Sequence, residues 1–403
     1  MRCRGFPAIA TFVVVANLTI LCAAQKKVSE VSPKTRQVVS AYNEFGFRVF
    51  KQLAAPAAQN NVFIAPSSIA IALTIAYNGA VGETKKAMAK AMGLEDISDE
   101  VVNNANLELR QLFGKIDPKT ELLVANALWL RKGVEFREEF LTLSRKFFDA
   151  EINPLTTAKA INDWVAQKTK GKINRIVDRV EPFWVWVIAN AVYFKGLWQK
   201  KFDKRLTKPE DFHLPTGEKI KVPMMSQSGK FPYLRGEGFQ AVCLPYGETG
   251  RLKFYLFVPD KDKSLADFLQ MLNQQNWERW IASFRMMDGD VKMPRFKIEY
   301  GAVSLKRPLT ALGMGIAFDL RRADFSKASP IEPNLYIEDV LHKAVVEVNE
   351  EGTEAAGVTA IIGVPGAVAP RERFTLVADR PFFFAICDSL TGFVLFAGIV
   401  NKP

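Results

Sequence analysis

Apolar residues recur at helical spacing near the amino end of this chain. Val38, Tyr42, Phe45, Val49 and Leu53 fall on one face, and the run stops before Pro56, a residue that cannot continue a helix. A second helix is predicted from near Ser67 through Ile69, Leu73 and Ala76. Farther along, the period changes. Phe183 to Phe194 is almost wholly apolar, as a strand covered on both faces would be. Leu341 to Glu351 alternates instead: His342, Ala344, Val346 and Val348 share one face, and Lys343, Glu347, Asn349 and Glu351 the other. That is a strand with one covered side. Helical patterns crowd the first half and strand patterns the second, so an α+β fold with several sheets follows. No repeat, linker or low-complexity tract divides residues 25–403, which read as a single domain.

One segment reads both as strand and as loop. From Ala355 to Ala369 there is no charged residue, and Ala, Gly, Val and Ile make up most of the run. Such a segment can slide between two strands. Yet Pro365, Pro370, Gly357, Gly363 and Gly366 argue against a permanent central strand. It is a loop able to become a strand.

Residues 1–24 stand apart from the fold. Arg2 and Arg4 precede an apolar run from Ile9 to Leu21, followed by the small residues Ala23 and Ala24. This is the pattern of a secretory signal cleaved after Ala24, so an extracellular product is expected, with no membrane span. Removing the signal lowers the formal charge from +11 to +9. Basic residues gather at Lys168, Lys170, Lys172, Arg175 and Arg179, and again at Lys200, Lys201, Lys204, Arg205 and Lys208. An anionic polysaccharide such as a glycosaminoglycan is therefore a candidate partner. Nucleic acid is not, because no nucleic-acid motif accompanies the charge. Enzyme chemistry finds little support. The chain has two histidines, His213 and His342, and shows no nucleophile elbow, phosphate-binding loop or Cys/His metal spacing. No cofactor is expected. Cys243 and Cys387 remain after the signal is removed, each within an apolar strand-like run, and free buried thiols are the expectation.

Glu350-Glu351-Gly352-Thr353-Glu354-Ala355-Ala356-Gly357-Val358-Thr359 resembles the hinge of the inhibitory serpins, which are suicide-substrate inhibitors of serine and cysteine proteases. The resemblance continues at Asn61-Val62-Phe63-Ile64-Ala65-Pro66-Ser67-Ser68, at Asn190-Ala191-Val192-Tyr193-Phe194-Lys195-Gly196-Leu197-Trp198, and at Leu335 to Val345 and Asp379-Arg380-Pro381-Phe382. It spans nearly the whole chain beyond the signal, in serpin order.

The resemblance implies three sheets, about nine helices, and an exposed reactive-centre loop over residues 352–374. It implies a monomer that forms a covalent acyl complex with a serine protease, then inserts its cleaved loop into the central sheet. Thr353, Ala355, Gly357, Thr359, Ile361 and Gly363 would face inward during insertion. Ser68, Asn190 and His342 match a buried hydrogen-bonded latch, although Ala65 stands where the family usually has Ser. Trp198 matches the top of the sheet, and Glu350 is expected to pair with Arg295 as a surface ion pair worth ~0–1 kcal/mol. The cysteines would lie on strands of one sheet separated by another strand. Counted from Gly352 at the spacing usual in inhibitory serpins, the resemblance implies a cut bond at Gly366–Ala367, for a protease with a shallow, elastase-like pocket. Ala367–Val368 is also allowed, and Arg371 and Arg373 compete for a trypsin-like protease. The alternative function is that of a non-inhibitory serpin, a carrier, storage protein or chaperone.

Overall fold

The computed structural model describes residues 31–57, 59–114, 116–331, 335–353 and 372–403. Its first helix, α1 (Pro33–Ala54), buries Val38, Tyr42, Phe45, Val49 and Leu53, the stripe read from the sequence. Ser32 caps it, the hydroxyl accepting from the Thr35 N–H at 3.1 Å. Pro33 fills the first turn, where its missing N–H has no intrahelical partner to lose. The second helix, α2 (Pro66–Gly79), is buried at nearly every position. The remaining helices are α3 (Gly82–Met92), α4 (Asp99–Phe113), α5 (Glu138–Phe148), α6 (Ala158–Lys168), α7 (Leu265–Met271), α8 (Gln274–Ser283) and α9 (Lys306–Leu309).

The strands begin with β1 (Val62–Ile64), β2 (Thr120–Leu130), β3 (Ala150–Pro154), β4 (Trp186–Leu197) and β5 (Lys208–His213). Next come β6 (Lys219–Gly236), β7 (Phe239–Pro245), β8 (Leu252–Pro259), β9 (Arg285–Pro294) and β10 (Phe296–Ser304). The last are β11 (Leu341–Asn349), β12 (Gly352–Thr353), β13 (Arg373–Val377), β14 (Phe382–Asp388) and β15 (Phe393–Val400).

Hydrogen bonding joins the described strands into two networks. One has the order β1-β15-β14-β8-β7-β6-β9-β13, with β5 also on β6; the other is β10-β11-β12-β4-β2-β3. The third expected sheet is fused to the first through β6, whose 18 residues pair in turn with β5, β9 and β7. The principal core lies between the sheets and α1 and α2, and β14 and β15 are buried at every position. Phe63 stacks between Phe384 and Phe396, with centroids 5.7 and 5.5 Å away. A smaller apolar cluster, including Trp129, Ile161, Trp164 and Val165, seats α6 on β2 and β4.

The alternation read over Leu341 to Glu351 is present in β11, where His342, Ala344, Val346 and Val348 are buried. The apolar run from Phe183 is not strand from its start. Trp184 N–H closes a turn onto the Glu181 carbonyl at 3.1 Å, β4 begins at Trp186, and Phe183 is 59% exposed.

Cys243 on β7 and Cys387 on β14 are free and buried, with β8 between their strands. Burial pushes the Cys243 thiol up to about 12 and Cys387 well above its usual value, so neither offers a thiolate at neutral pH. In the native protein neither should react with a thiol reagent over an hour, and both should react in guanidinium chloride. Rapid labelling of the native protein would contradict this burial.

Candidate functional site

The central feature is a break in the six-stranded sheet. Strands β4 and β11 run parallel to each other but do not pair. Among the described residues they are bridged by β12 alone, antiparallel to both. Thr353 lies opposite Val348 on one bank and Gly196 on the other; Gly352 lies opposite Asn349 and Leu197. Below this bridge a cleft of about 310 Å³ is flanked by Val192 and Phe194 on β4 and by Lys343 and Val345 on β11.

Each residue of the bridge suits its place. Gly352 has φ +148°, and a Cβ there would stand 2.1 Å from the Gly196 carbonyl oxygen, so a larger residue would force the banks apart. Thr353 is buried, and its hydroxyl shares a 2.7 Å hydrogen bond with the Tyr246 hydroxyl. Tyr246 is itself fully buried, stacked on Trp198 at 4.5 Å and edge-on to Phe194 at 5.1 Å. Trp198 holds the chain just before the bridge twice: its indole N–H donates to the Asn349 carbonyl at 2.8 Å, and its backbone N–H to the Glu351 carbonyl at 2.9 Å.

The two glutamates preceding the bridge are buried and ionised. Glu350 accepts from Arg295 Nη2 at 2.6 Å and Thr207 Oγ1 at 2.7 Å. Burial by itself would raise its carboxyl, but these hydrogen bonds and the Arg295 charge outweigh that and hold it below the ordinary range. Glu351 meets Lys201 Nζ at 2.5 Å and Lys204 Nζ at 3.0 Å. The same contest, burial against the two ammonium groups, also ends with a lowered carboxyl. The Glu350–Arg295 pair was expected at the surface. Its arginine is half exposed, but the Glu350 side chain is only 2% exposed, so removing the arginine would cost more than breaking an exposed pair, because a buried carboxylate would lose its counter-charge.

The expected latch of Ser68, Asn190 and His342 is in two pieces. On the β4 side the Ser68 hydroxyl donates to Asn190 Oδ1, Asn190 Nδ2 to Asn126 Oδ1 at 2.6 Å, and Asn126 Nδ2 to the Phe148 carbonyl at 2.7 Å. On the β11 side His342 Nε2 accepts from the Ala65 N–H at 3.2 Å. The halves are separate because their strands do not pair. Ala65, lacking the usual hydroxyl, takes part through its backbone. Burial lowers His342 to about 4, so it is a neutral acceptor at pH 7.

Several of these residues were not singled out from the sequence. Tyr246, Thr207 and Asn126 carry no motif. Lys201 and Lys204 stood out only as members of a basic run, and nothing local connects them to a carboxylate 150 positions away. The other basic cluster proves largely neutralised: Lys168 pairs with Glu151, Lys170 with Glu121, Arg175 with Asp178 and Arg179 with Glu181. Arg373 lies in β13, opposite Asp288 on β9, and pairs with Asp290 at 3.2 Å. Glu354, Ala355, Ala356, Gly357, Val358, Thr359, Gly366, Ala367, Val368 and Arg371 lie outside the described residues.

The family profile described as Serpin (serine protease inhibitor) matches residues 40–403, and the chain belongs to that family. The leukocyte elastase inhibitor of Bos taurus is 34% identical over 385 residues, covering 91% of this chain and 100% of that protein. The native structure of tengpin, a thermophilic serpin, superposes with a TM-score of 0.82 at 29% identity, covering 91% of this chain and 94% of tengpin. Native protease nexin-1, solved with heparin, gives a TM-score of 0.79 at 26% identity over 92% and 99% of the two chains.

Two outcomes test the site. Replacing Arg295 with Ala should lower stability by about 2 kcal/mol, because a buried carboxylate loses its counter-charge and keeps only neutral donors, Thr207 and its own backbone N–H; the figure lies below the ~3–5 of a fully buried pair because Arg295 is half exposed. Adding Glu350→Gln should recover most of that loss in denaturant midpoints. The second outcome concerns acid. Between pH 6.5 and about 4 an unfolded histidine takes up a proton that native His342 refuses, so stability should fall as pH drops through that window, by at most about 3 kcal/mol. His342→Gln keeps an acceptor for Ala65 and should flatten that part of the urea-midpoint profile.

Proposed function

We propose that this chain is an exported inhibitor of serine proteases that acts as a suicide substrate. The observation carrying the proposal is the hinge already seated as the two-residue strand β12 between β4 and β11. Extended residue by residue, its register would set Thr359 level with Asn190 on one bank and His342 on the other. The inserting strand would thus arrive between the two halves of the latch. The positions expected to face inward, from Thr353 to Gly363, are small except Ile361, so entry meets little steric opposition.

The protease serine attacks the carbonyl of Gly366, the Gly366–Ala367 bond breaks, and the leaving amine at Ala367 takes up a proton and stays on the downstream segment, which β13, β14 and β15 anchor in the fold. The acylated end then travels as the loop inserts. A strand from Thr353 to Val364, at ~3.3 Å per residue, carries it ~40 Å. Each ladder hydrogen bond gained nets ~0.5–1.5 kcal/mol, so a dozen residues paired on both sides yield on the order of 10 kcal/mol. That drives the distortion of the protease before water can release it.

Gly366 and the adjacent Val364-Pro365 suit a shallow specificity pocket, and the 34% identity to a leukocyte elastase inhibitor supports an elastase-like target. Arg373 is a poor scissile residue, because its backbone pairs with β9 and its guanidinium with Asp290. The second partner we propose is an anionic polysaccharide, the class represented by heparin in the protease nexin-1 structure.

With an elastase-like protease the protein should form a complex that survives SDS, and the released peptide should begin at Ala367. A peptide beginning at Glu372 would move the cut to Arg371. Nicked protein should melt well above the intact form; cleavage with neither complex nor higher melting would favour the non-inhibitory alternative. Thr353→Arg places an unpaired charge against buried Tyr246, costing several kcal/mol (roughly) in any state with the hinge seated, intact or inserted. It should reduce complex yield at least tenfold while leaving cleavage intact.

A further inference from the structure

At the end of β11 opposite the hinge, the surface is positive and carries an exposed leucine. Residues 305–327 start there, with the Leu305 N–H donating to the Val340 carbonyl at 2.8 Å, and hold five cations against two acids. Both acids turn to backbone. Asp319 Oδ1 accepts from the N–H groups of Arg321 and Arg322 at 2.9 and 3.2 Å, and Asp324 Oδ1 from that of Ser326 at 3.0 Å. Nearby Asp339 accepts from the Ser304 hydroxyl at 2.7 Å. Arg307, Arg321 and Arg322 are exposed, and among the described residues no acid pairs with their guanidinium groups. The Lys306 ammonium stands 5.8 Å over the Phe318 ring. A turn closed by the Ala323 N–H on the Asp319 carbonyl, at 2.9 Å, carries Leu320, which is 52% exposed. Helix α3 is tied to this segment by the Asp324 N–H on Thr84 Oγ1 at 2.9 Å, and it holds three lysines against one glutamate. Leu206 is also exposed beside cations, but there Glu351 holds Lys201 and Lys204, and Asp203 holds Arg205.

We infer that the turn at residues 319–322 is a contact site for anionic phospholipid surfaces. Leu320 enters the headgroup boundary, while Arg321 and Arg322, with Lys306 and Arg307, meet lipid phosphates. A guanidinium suits phosphate because its planar fork donates two parallel hydrogen bonds. An apolar side chain that reaches the acyl boundary adds to the Coulomb attraction. The leucine decides the class of partner, since a sulfated polysaccharide reads charge and has no apolar interior to receive it. Contact of this kind is peripheral: among the described residues no helix is long and apolar enough to cross a membrane. The hinge lies at the other end of β11 (Leu341–Asn349), roughly 25 Å away along the strand, so a docked molecule keeps it clear of the lipid. The site does not depend on the inhibitory reading.

The test uses the chain without residues 1–24, and vesicles of phosphatidylcholine with or without phosphatidylserine. The protein should float with the anionic vesicles and not with the neutral ones, and raised salt should release it. Each cation near an anionic surface strengthens attachment about fivefold, so Arg321→Gln and Arg322→Gln together should weaken it about twenty-five-fold. Leu320→Asn should weaken vesicle binding about threefold and leave retention on heparin unchanged. All three side chains are exposed, so melting temperatures should stay put and separate lost contact from lost fold. Leu320→Cys supplies a direct signature. Cys243 and Cys387 are buried, so a polarity-sensitive dye attaches at position 320 alone, and its emission should move to the blue with anionic vesicles. Failure to bind those vesicles overturns the inference, as does binding that survives the double arginine change or a dye that keeps its aqueous emission. Retention on heparin that depends on the two arginines, without vesicle binding, assigns the patch to polysaccharide and overturns it as well.

Discussion

Two parallel strands that do not pair with each other set the terms for everything else in this molecule. Buried backbone N–H and C=O groups demand partners, and along the facing edges of β4 and β11 the described residues supply them only at Gly352 and Thr353. A segment that enters there must be extended and antiparallel to both banks, and narrow on its inward side. The chain that follows Thr353 is uncharged from Ala355 to Ala369 and mostly small. Among the described residues the sheet thus presents an unmet hydrogen-bonding requirement, and the adjoining sequence has the composition to meet it. On the mechanism proposed above, a protease that cuts the loop removes the tether delaying that outcome.

The top of the break is where this potential is held in check. Tyr246, Trp198 and Phe194 form an aromatic wall behind Thr353. Glu350 and Glu351 are buried carboxylates held by three cations from two separate segments. Interactions of this kind contribute modestly to global stability, because desolvation offsets most of the Coulomb attraction. Their larger effect is on geometry, since a carboxylate with fixed partners can occupy one position only.

Much of this was legible in the sequence, and the parts that were not share a cause. Local periodicity revealed α1 through Val38, Tyr42 and Phe45, and the alternation of β11 through His342 to Val348. It overran the start of β4 because Phe183 is apolar yet faces solvent, and hydropathy cannot see the turn that Trp184 closes. The third sheet merged with the first because β6 continues past the point where one pairing partner gives way to another. Glu350 read as a surface charge because burial is decided by residues such as Thr207, 143 positions away. Asn190 lies on β4 and His342 on β11, and a motif does not tell which bank each joins or whether the banks touch.

Register explains why so much charge is spent beside so short a strand. In an extended chain a shift of one residue exchanges the inward and outward faces. Uncharged runs of alanine, glycine and valine specify register poorly, since any alignment buries similar surface. In this chain the ambiguity is removed before the run begins. Arg295 and Thr207 fix Glu350, Lys201 and Lys204 fix Glu351, and Tyr246 accepts only a small hydroxyl at the next inward place. A slip of one position would bring Glu354 to Tyr246 and strand a buried charge, an error costing several kcal/mol (roughly). For the insertion proposed above, the charges around the hinge would therefore act as an alignment mark, so that a featureless strand would enter in the frame that sets Thr359 between Asn190 and His342.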